Sequence, residues 1–301
     1  MGKALVKVEN LVHEFRPAGK IRIRAVDHIS FQIEEGEIFG LVGESGSGKS
    51  TVARCVMNVY RPWGGTVWYK DICTTEQKSY RQNKKMLQTR RQMIFQDSTS
   101  SLNQRMKVRD IIAEPMVISR RTPPRGSCRA EAEFQLSYVG MEASYLDKYP
   151  WELSGGMRQR VAIARALAME PEFLVADEPV ASLDVSIQAQ ILNLFKHLQK
   201  EHGFTFLFIA HDLSVVRFLC DRVGVMYRGK IVETAPVKEL FNNPMHPYTK
   251  ALLSAIPIPD PVLERKRKFQ VFDEDDFCPG ERMEMVSPGH FVLENNGGKE
   301  I

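Results

Sequence analysis

Apolar and polar positions alternate at the start of the chain, at Leu5, Val6 and Val8 and again at Ile29, Phe31 and Ile33 before the turn Glu34-Glu35-Gly36. A period of two predicts two strands here. Between them Phe15 precedes the loop Arg16-Pro17-Ala18-Gly19-Lys20. Glu37-Ile38-Phe39-Gly40-Leu41-Val42 is a continuous apolar run of the length of a buried strand, and Thr51 to Met57 carries a helical pattern. Gly64-Gly65 turns into Thr66-Val67-Trp68-Tyr69, and Met93-Ile94-Phe95-Gln96-Asp97 is a short strand ending in a side-chain amide.

Residues 98 to 150 change character: a Ser-rich loop, helical spacing at Val108, Ile111 and Ile112, and the breakers Pro123-Pro124-Arg125-Gly126 predict a small helical insertion. The Ala-rich segment Val161 to Ala168 favours a helix. Phe173-Leu174-Val175-Ala176 predicts a strand, Ile187, Ile191, Leu194 and Leu198 form a helical stripe stopping at Gly203, and Phe204 to Ala210 predicts the last core strand. Tyr227 to Glu233 is a hairpin pattern. Beyond residue 245 the chain is proline-rich, with a basic run from Arg265 to Lys268 and an acidic one from Asp273 to Asp276, which predicts an appended extension with little core of its own.

Composition narrows the class. With 43% hydrophobic and 26% charged residues the chain is an ordinary globular protein, and no apolar run approaches the eighteen or so residues of a membrane span. Met1-Gly2-Lys3-Ala4 leads straight into a strand pattern, so export is not expected. Five scattered cysteines without paired spacing fit reduced thiols better than a disulfide frame or a zinc site. A net charge of +4 is too small to argue for nucleic acid, and the basic run Lys78, Arg81, Lys84, Lys85, Arg90 and Arg91 fits a solvated helix face better than a binding patch.

The chemistry concentrates in a few places. Gly43-Glu44-Ser45-Gly46-Ser47-Gly48-Lys49-Ser50 fits the phosphate-binding pattern G-x-x-x-x-G-K-[ST] between a strand and a helix. Its glycines let backbone N–H groups turn inward as a nest for oxyanions, Lys49 supplies charge for the outer phosphates, and Ser50 suits Mg²⁺. Ser154-Gly155-Gly156 opens another helix with a hydroxyl and bare N–H groups, a second anion-ready terminus in one chain. Asp177 and Glu178 end a strand: the first suits a Mg²⁺ contact, the second a general base polarising water toward the γ-phosphate. Gln96 could reach the metal or the attacking water, His211 sits at the strand edge where such sheets bind ligands, and Phe15 is either an adenine-stacking ring or a rim aromatic.

In that order, the phosphate loop, Gln96, Leu153-Ser154-Gly155-Gly156, Asp177-Glu178, Ser182-Leu183-Asp184 and His211 resemble the ATPase subunits of ABC transporters. Phe95-Gln96-Asp97, Asp184-Val185-Ser186-Ile187-Gln188 and Asn243-Pro244-Met245-His246-Pro247-Tyr248-Thr249 are similar to the oligopeptide/dipeptide importer branch, over roughly residues 4 to 262. The resemblance implies an α/β fold: a P-loop NTPase (RecA-like) core with an antiparallel β subdomain and a helical subdomain. It implies an ATPase domain over 1–245, the helical subdomain inserted at about 97–155, and a C-terminal extension over 246–301.

It further implies ATP contacts from Phe15, Gly43, Ser45, Gly46, Ser47, Gly48, Lys49, Ser50 and Thr51, and from Ser154, Gly155 and Gly156 across a head-to-tail pair of ATPases. Mg²⁺ is expected at Ser50, Gln96 and Asp177, and catalysis through Glu178, His211 and Gln96. The implied partners are a second ATPase, favoured as a related but different chain, two transmembrane permeases, and indirectly an extracytoplasmic solute-binding protein, with no nucleic acid. The implied place is the cytoplasmic face of the plasma (inner) membrane.

Peptides are the family's usual solute, with oligosaccharides and nickel among relatives. The basic run motivates an alternative, a soluble ABC-type ATPase acting on nucleic acid or ribosomes; a purely regulatory nucleotide-binding module is disfavoured by Glu178. Two departures from the family stand out. Met157 replaces a common Gln, which should leave activity intact because the anion contacts come from Ser154 and backbone N–H groups. Many peptide-importer subunits also hold an iron–sulfur cluster near the C-terminus, where this chain has only Cys278. Such a cluster needs several thiolates, so none is expected, and protein purified without oxygen should lack an iron-dependent absorption band.

Overall fold

The two strand patterns at the start of the chain become β1 (Ala4–Phe15) and β2 (Ile23–Glu34), which pair antiparallel. The apolar run after them becomes β3 (Ile38–Val42), whose five residues are all buried. A computed structural model of the chain describes residues 2–16, 21–257, 270, 272–273 and 279–295. The phosphate-loop pattern leads into α1 (Lys49–Val56), and β4 (Gly64–Tyr69) and β5 (Ile72–Cys73) complete a four-stranded sheet in the order β2-β1-β4-β5.

The basic run forms α2 (Gln77–Arg90), with Lys78, Arg81, Lys84 and Lys85 exposed. Arg91 departs from that solvated face. It begins β6 (Arg91–Ile94), is buried, and donates to Val56 O at 3.0 Å and Asn58 Oδ1 at 2.9 Å, so it braces the fold.

Three helices fall in the insertion, α3 (Ser98–Ser101), α4 (Val108–Ser119) and α5 (Cys128–Tyr138), and α6 (Gly155–Leu167) follows it. Their apolar faces, among them Ile112, Met116, Leu136 and Val161, merge into one cluster with one face of the main sheet. Ser127 caps α5 by accepting from the Ala130 amide at 3.1 Å, just past the proline-glycine breakers.

The main sheet adds β7 (Phe173–Asp177), β8 (Thr205–Ala210) and β9 (Arg222–Tyr227), with α7 (Val185–His202) and α8 (Leu213–Leu219) between them. Strands β9-β3-β8-β7-β6 run parallel. β3, β7 and β8 carry continuous apolar runs because both of their faces are covered. The pleat divides them cleanly: Phe39, Leu41, Phe173, Val175, Leu207 and Ile209 pack toward β1, β2 and α1. Ile38, Val42, Leu174, Ala176, Phe206 and Phe208 pack toward α6, α7 and the insertion.

After β10 (Lys230–Pro236), α9 (Val237–Asn242) and α10 (Pro247–Ser254), the chain returns to the sheet as β11 (Pro279–Ser287) and β12 (His290–Asn295). β12 pairs antiparallel with β10, so the extension is joined to the main sheet, in the order β11-β12-β10-β9-β3-β8-β7-β6. The basic run from Arg265, the acidic run beyond Asp273, and Cys278 lie outside the described residues. Among the described residues no helix is long and apolar enough to cross a membrane.

A buried polar cluster seats this extension. Glu233 on β10 is fully buried; its carboxyl accepts from the amides of Met245 at 2.8 Å and His246 at 3.0 Å and faces His290 Nε2 of β12 at 2.7 Å. His246 Nδ1 accepts from the Tyr248 amide at 3.1 Å and so caps α10. Burial pushes His246 down from its ordinary 6.5 to about 4, against the opposing pull of Glu233 and with a smaller push from Lys250. The unfolded chain therefore binds a proton at His246 that the folded chain refuses, and stability rises with pH across that window. This contribution is complete above pH 6.5 and is lost as pH falls toward about 4. Denaturant unfolding followed against pH should show it as a slope that His246→Asn removes; an unchanged slope would exclude His246 as its source.

Candidate functional site

The parallel strands β3, β6, β7 and β8 all end on one side of the sheet, and the loops leaving those ends carry nearly every candidate residue. Between β3 and α1 the loop depends on glycine at two points. Gly43 has φ +150° and an added Cβ would lie 2.1 Å from Met226 O; Gly48 has φ +106° and its Cβ would lie 2.1 Å from Ala25 O. Both are backbone collisions, so no side chain fits.

Lys49 is buried, and its ammonium donates to Gly43 O and Glu44 O, each at 2.7 Å, with Ser47 Oγ at 3.4 Å. Burial pushes its pKa down, while Glu178, Asp177 and Glu44 pull it back up. The cation is curled onto its own loop. Beside it opens a cleft of about 580 Å³, into which Ser45, Gly46, Gly48, Ser50 and Thr51 also face. That volume is in the range of small-molecule sites.

Ser50 Oγ donates to Asp177 Oδ1 at 2.8 Å, and Asp177 is nearly inaccessible, so burial pushes its pKa up. A hydroxyl and a carboxylate oxygen are hard donors of the kind Mg²⁺ takes, and a buried carboxylate gains from a cation. The next residue, Glu178, sits at φ +46°, a left-handed conformation uncommon for a side chain of its size, and its amide donates to Ile209 O at 3.1 Å. That twist turns its carboxylate into the cleft. Glu178 Oε2 accepts from Gln96 Nε2 at 2.9 Å and faces His211 Nδ1 at 3.4 Å. Three strand ends thus converge on one carboxylate oxygen. Gln96 engages it through its amide nitrogen.

Phe15 also lines the cleft, half-exposed, with its ring edge-on to His13 at 4.9 Å and to Tyr60 at 5.7 Å. The sequence gives no sign of that support, because His13 and Tyr60 are far apart along the chain. Ser154, Gly155 and Gly156 are not among the residues lining the cleft. Ser154 Oγ accepts from the Met157 amide at 3.3 Å and caps α6, while a Cβ on Gly156 would lie 2.5 Å from Ile187 Cγ2. Gly156 therefore lets α6 approach α7, a packing duty separate from any anion. Two further supports of the loop went unread in the sequence: the Gly229 amide donates to Ser47 O at 3.0 Å, and the Glu44 amide donates to Tyr248 Oη at 3.1 Å.

A phosphate nest at the edge of a parallel sheet, backed by a strand-end carboxylate pair and a helical insertion, defines the class as a P-loop ATPase cassette. Solved cassettes agree. The dimeric post-hydrolysis state of the ATP-binding cassette MJ0796, bound to ADP and Pi, superposes with a TM-score of 0.68 at 29% identity, covering 77% of this chain and 98% of that one. CbiO1 of Clostridium perfringens, part of the ABC transporter complex cbiONQ, gives 0.69 at 29% identity over 80% of this chain and 92% of its own.

The ABC transporter family model matches residues 26–181, and that of the oligopeptide/dipeptide transporter C-terminal region matches 232–280. The oligopeptide transport ATP-binding protein OppF of Streptococcus mutans is 49% identical over 97% of this chain and 94% of its own. OppF of Bacillus subtilis is 50% identical over 97% of each, and the dipeptide transport ATP-binding protein DppF of Lactococcus lactis is 44% identical over 99% and 96%. The chain belongs to the ABC transporter family, among its oligopeptide and dipeptide transport ATP-binding proteins. This kinship disfavours the nucleic-acid alternative.

Gly48→Ala forces a left-handed residue and a backbone collision into the loop. Strain of this kind costs on the order of 1–3 kcal/mol. ATP affinity should fall by about tenfold or more, measured by calorimetry, with the far-ultraviolet circular dichroism unchanged.

Proposed function

We propose that this chain is the ATP-hydrolysing subunit of a membrane importer for oligopeptides or dipeptides, working at the cytoplasmic face of the membrane. The observation that carries the reading is that the chain has two anion-ready helix termini and only one of them, at Lys49, opens into its own cleft. The other belongs over the ATP of a second ATPase, in a head-to-tail pair, and the second chain is a related but different one. The Ser154 hydroxyl and the first amides of α6 then meet the γ-phosphate held by the partner's loop.

Within one protomer the amides of Gly46 to Thr51 receive the phosphates, Lys49 leaves its carbonyl partners for the outer phosphate oxygens, and Phe15 takes the adenine. Ser50, Gln96 and Asp177 would hold Mg²⁺, which would supply positive charge against the phosphates. Glu178 accepts the proton of the attacking water, and His211 steadies the γ-phosphate from its own side.

A surface groove supports a route for coupling to the permeases. A second groove, of about 940 Å³, runs between α2 and the insertion and includes the exposed apolar side chains of Val59, Phe95 and Ile118. Gln96 lines this groove and the ATP cleft alike. A permease segment seated there senses the phosphate state through one side chain.

Glu178→Gln keeps the hydrogen-bonding shape but cannot take a proton, and general-base loss lowers rates by about 10²–10⁴. The variant should bind ATP, accumulate as an ATP-loaded pair in size-exclusion chromatography, and hydrolyse almost none. Wild-type turnover in this variant would remove Glu178 from the role of base.

A further inference from the structure

We propose that Tyr248, far along the chain in α10, is a positioning residue of the ATP site: its hydroxyl holds the Glu44 peptide so that the phosphate loop keeps the curvature that receives a triphosphate. The inference rests on the reading of Gly43–Ser50 as the ATP loop and adds a duty for the C-terminal extension. The Gly43–Glu44 peptide is held at both ends: its carbonyl, Gly43 O, accepts from Lys49 Nζ at 2.7 Å, and its amide, Glu44 N–H, donates to Tyr248 Oη at 3.1 Å. The next carbonyl, Glu44 O, accepts from Lys49 Nζ at 2.7 Å and from the Ser47 amide at 3.2 Å. When phosphate draws Lys49 away, the Gly43 carbonyl loses that donor. The Tyr248 bond then still ties the Gly43–Glu44 peptide to the body of the protein.

Tyr248 is itself tightly placed. It is 2% exposed, and its ring centroid lies 4.4 Å from that of Tyr227, the residue ending β9. Burial raises its pKa to about 12, so the phenol stays protonated at any working pH. Its register along α10 is set two residues earlier, where the Glu233 carboxyl takes the amides of Met245 and His246 and His246 caps the helix. His290 of β12 closes the same cluster from the other side. A continuous run of buried contacts therefore leads from the last strand of the extension to the first turn of the phosphate loop.

Tyr248→Phe deletes the hydroxyl and leaves the ring. Loss of one neutral hydrogen bond should weaken ATP binding by about two- to tenfold, by calorimetry on the full chain. Thr249→Val is the matched control, because Thr249 is buried next door and its hydroxyl has no hydrogen-bond partner among the described residues. It should leave ATP affinity unchanged. Amide hydrogen exchange supplies a second reading: Glu44 should be protected in the ATP-free wild type and exposed in Tyr248→Phe. The proposal is overturned if the wild-type Glu44 amide exchanges as fast as that of exposed Ser45, a result that needs no variant to fold. It is equally overturned if Tyr248→Phe binds and turns over ATP as the wild type does, or if Thr249→Val weakens binding as much. Wild-type protein that binds no ATP would instead sink the reading of the loop itself.

Discussion

The candidate site is arranged around the cost of burying the Lys49 ammonium. Desolvation disfavours a buried cation, and the loop answers by offering the carbonyls of Gly43 and Glu44 at 2.7 Å. Those acceptors hold the charge in place without neutralising it. A phosphate would bring negative charge to the same spot, so binding energy would come from an exchange of partners within a site already built. That exchange requires a loop with one shape. Gly43 against Met226 O, Gly48 against Ala25 O and the Gly229 amide on Ser47 O impose it from three sides.

The same logic governs the carboxylates facing Lys49. Asp177, at the end of a fully buried strand, is pushed toward its protonated form by burial and gains from any cation that Ser50 and Asp177 share. Glu178, one residue on, is rotated by a left-handed backbone into the cleft, where Gln96 and His211 meet it. Adjacent residues in an extended strand point to opposite faces. Only the twist at φ +46° lets two consecutive carboxylates serve one site, so the strain there has a use.

Much of this was legible in the chain because the signals are local. The apolar runs of β3, β7 and β8 and the glycine spacing of the loop are short-range facts, and they located the sheet edge where Gln96, Glu178 and His211 gather. The sequence failed where the determinant is long-range. Glu233 in a hairpin pattern and His290 in a polar tail carry no mark of burial, because only the β10–β12 pairing encloses them. Arg91 closed a basic run by spacing, yet the start of β6 turned it inward. The sequence pattern suggests an anion contact at Gly156, but its tightest neighbour is Ile187 of α7, which a helix N-terminus pattern cannot foretell. Hydrophobic period reports which face of an element is buried and not what lies against it.

In the proposed pair, the direction of the motor follows from where α6 points. A ligand shifts a conformational equilibrium only by the difference in its affinity for the two states. On that proposal the cleft of a lone chain would supply the contacts for adenine, the inner phosphates and Mg²⁺, so those groups would bind open and closed forms alike and do no closing. The contacts made in the closed form alone would come from Ser154 and the amides of α6 of the second ATPase, to the γ-phosphate. ATP would then close the pair and ADP would not, the difference between them being the one group that Glu178 is proposed to help remove. Gln96, with its amide on Glu178 and its place in the groove beside the insertion, ties that removal to the surface where a permease would sit.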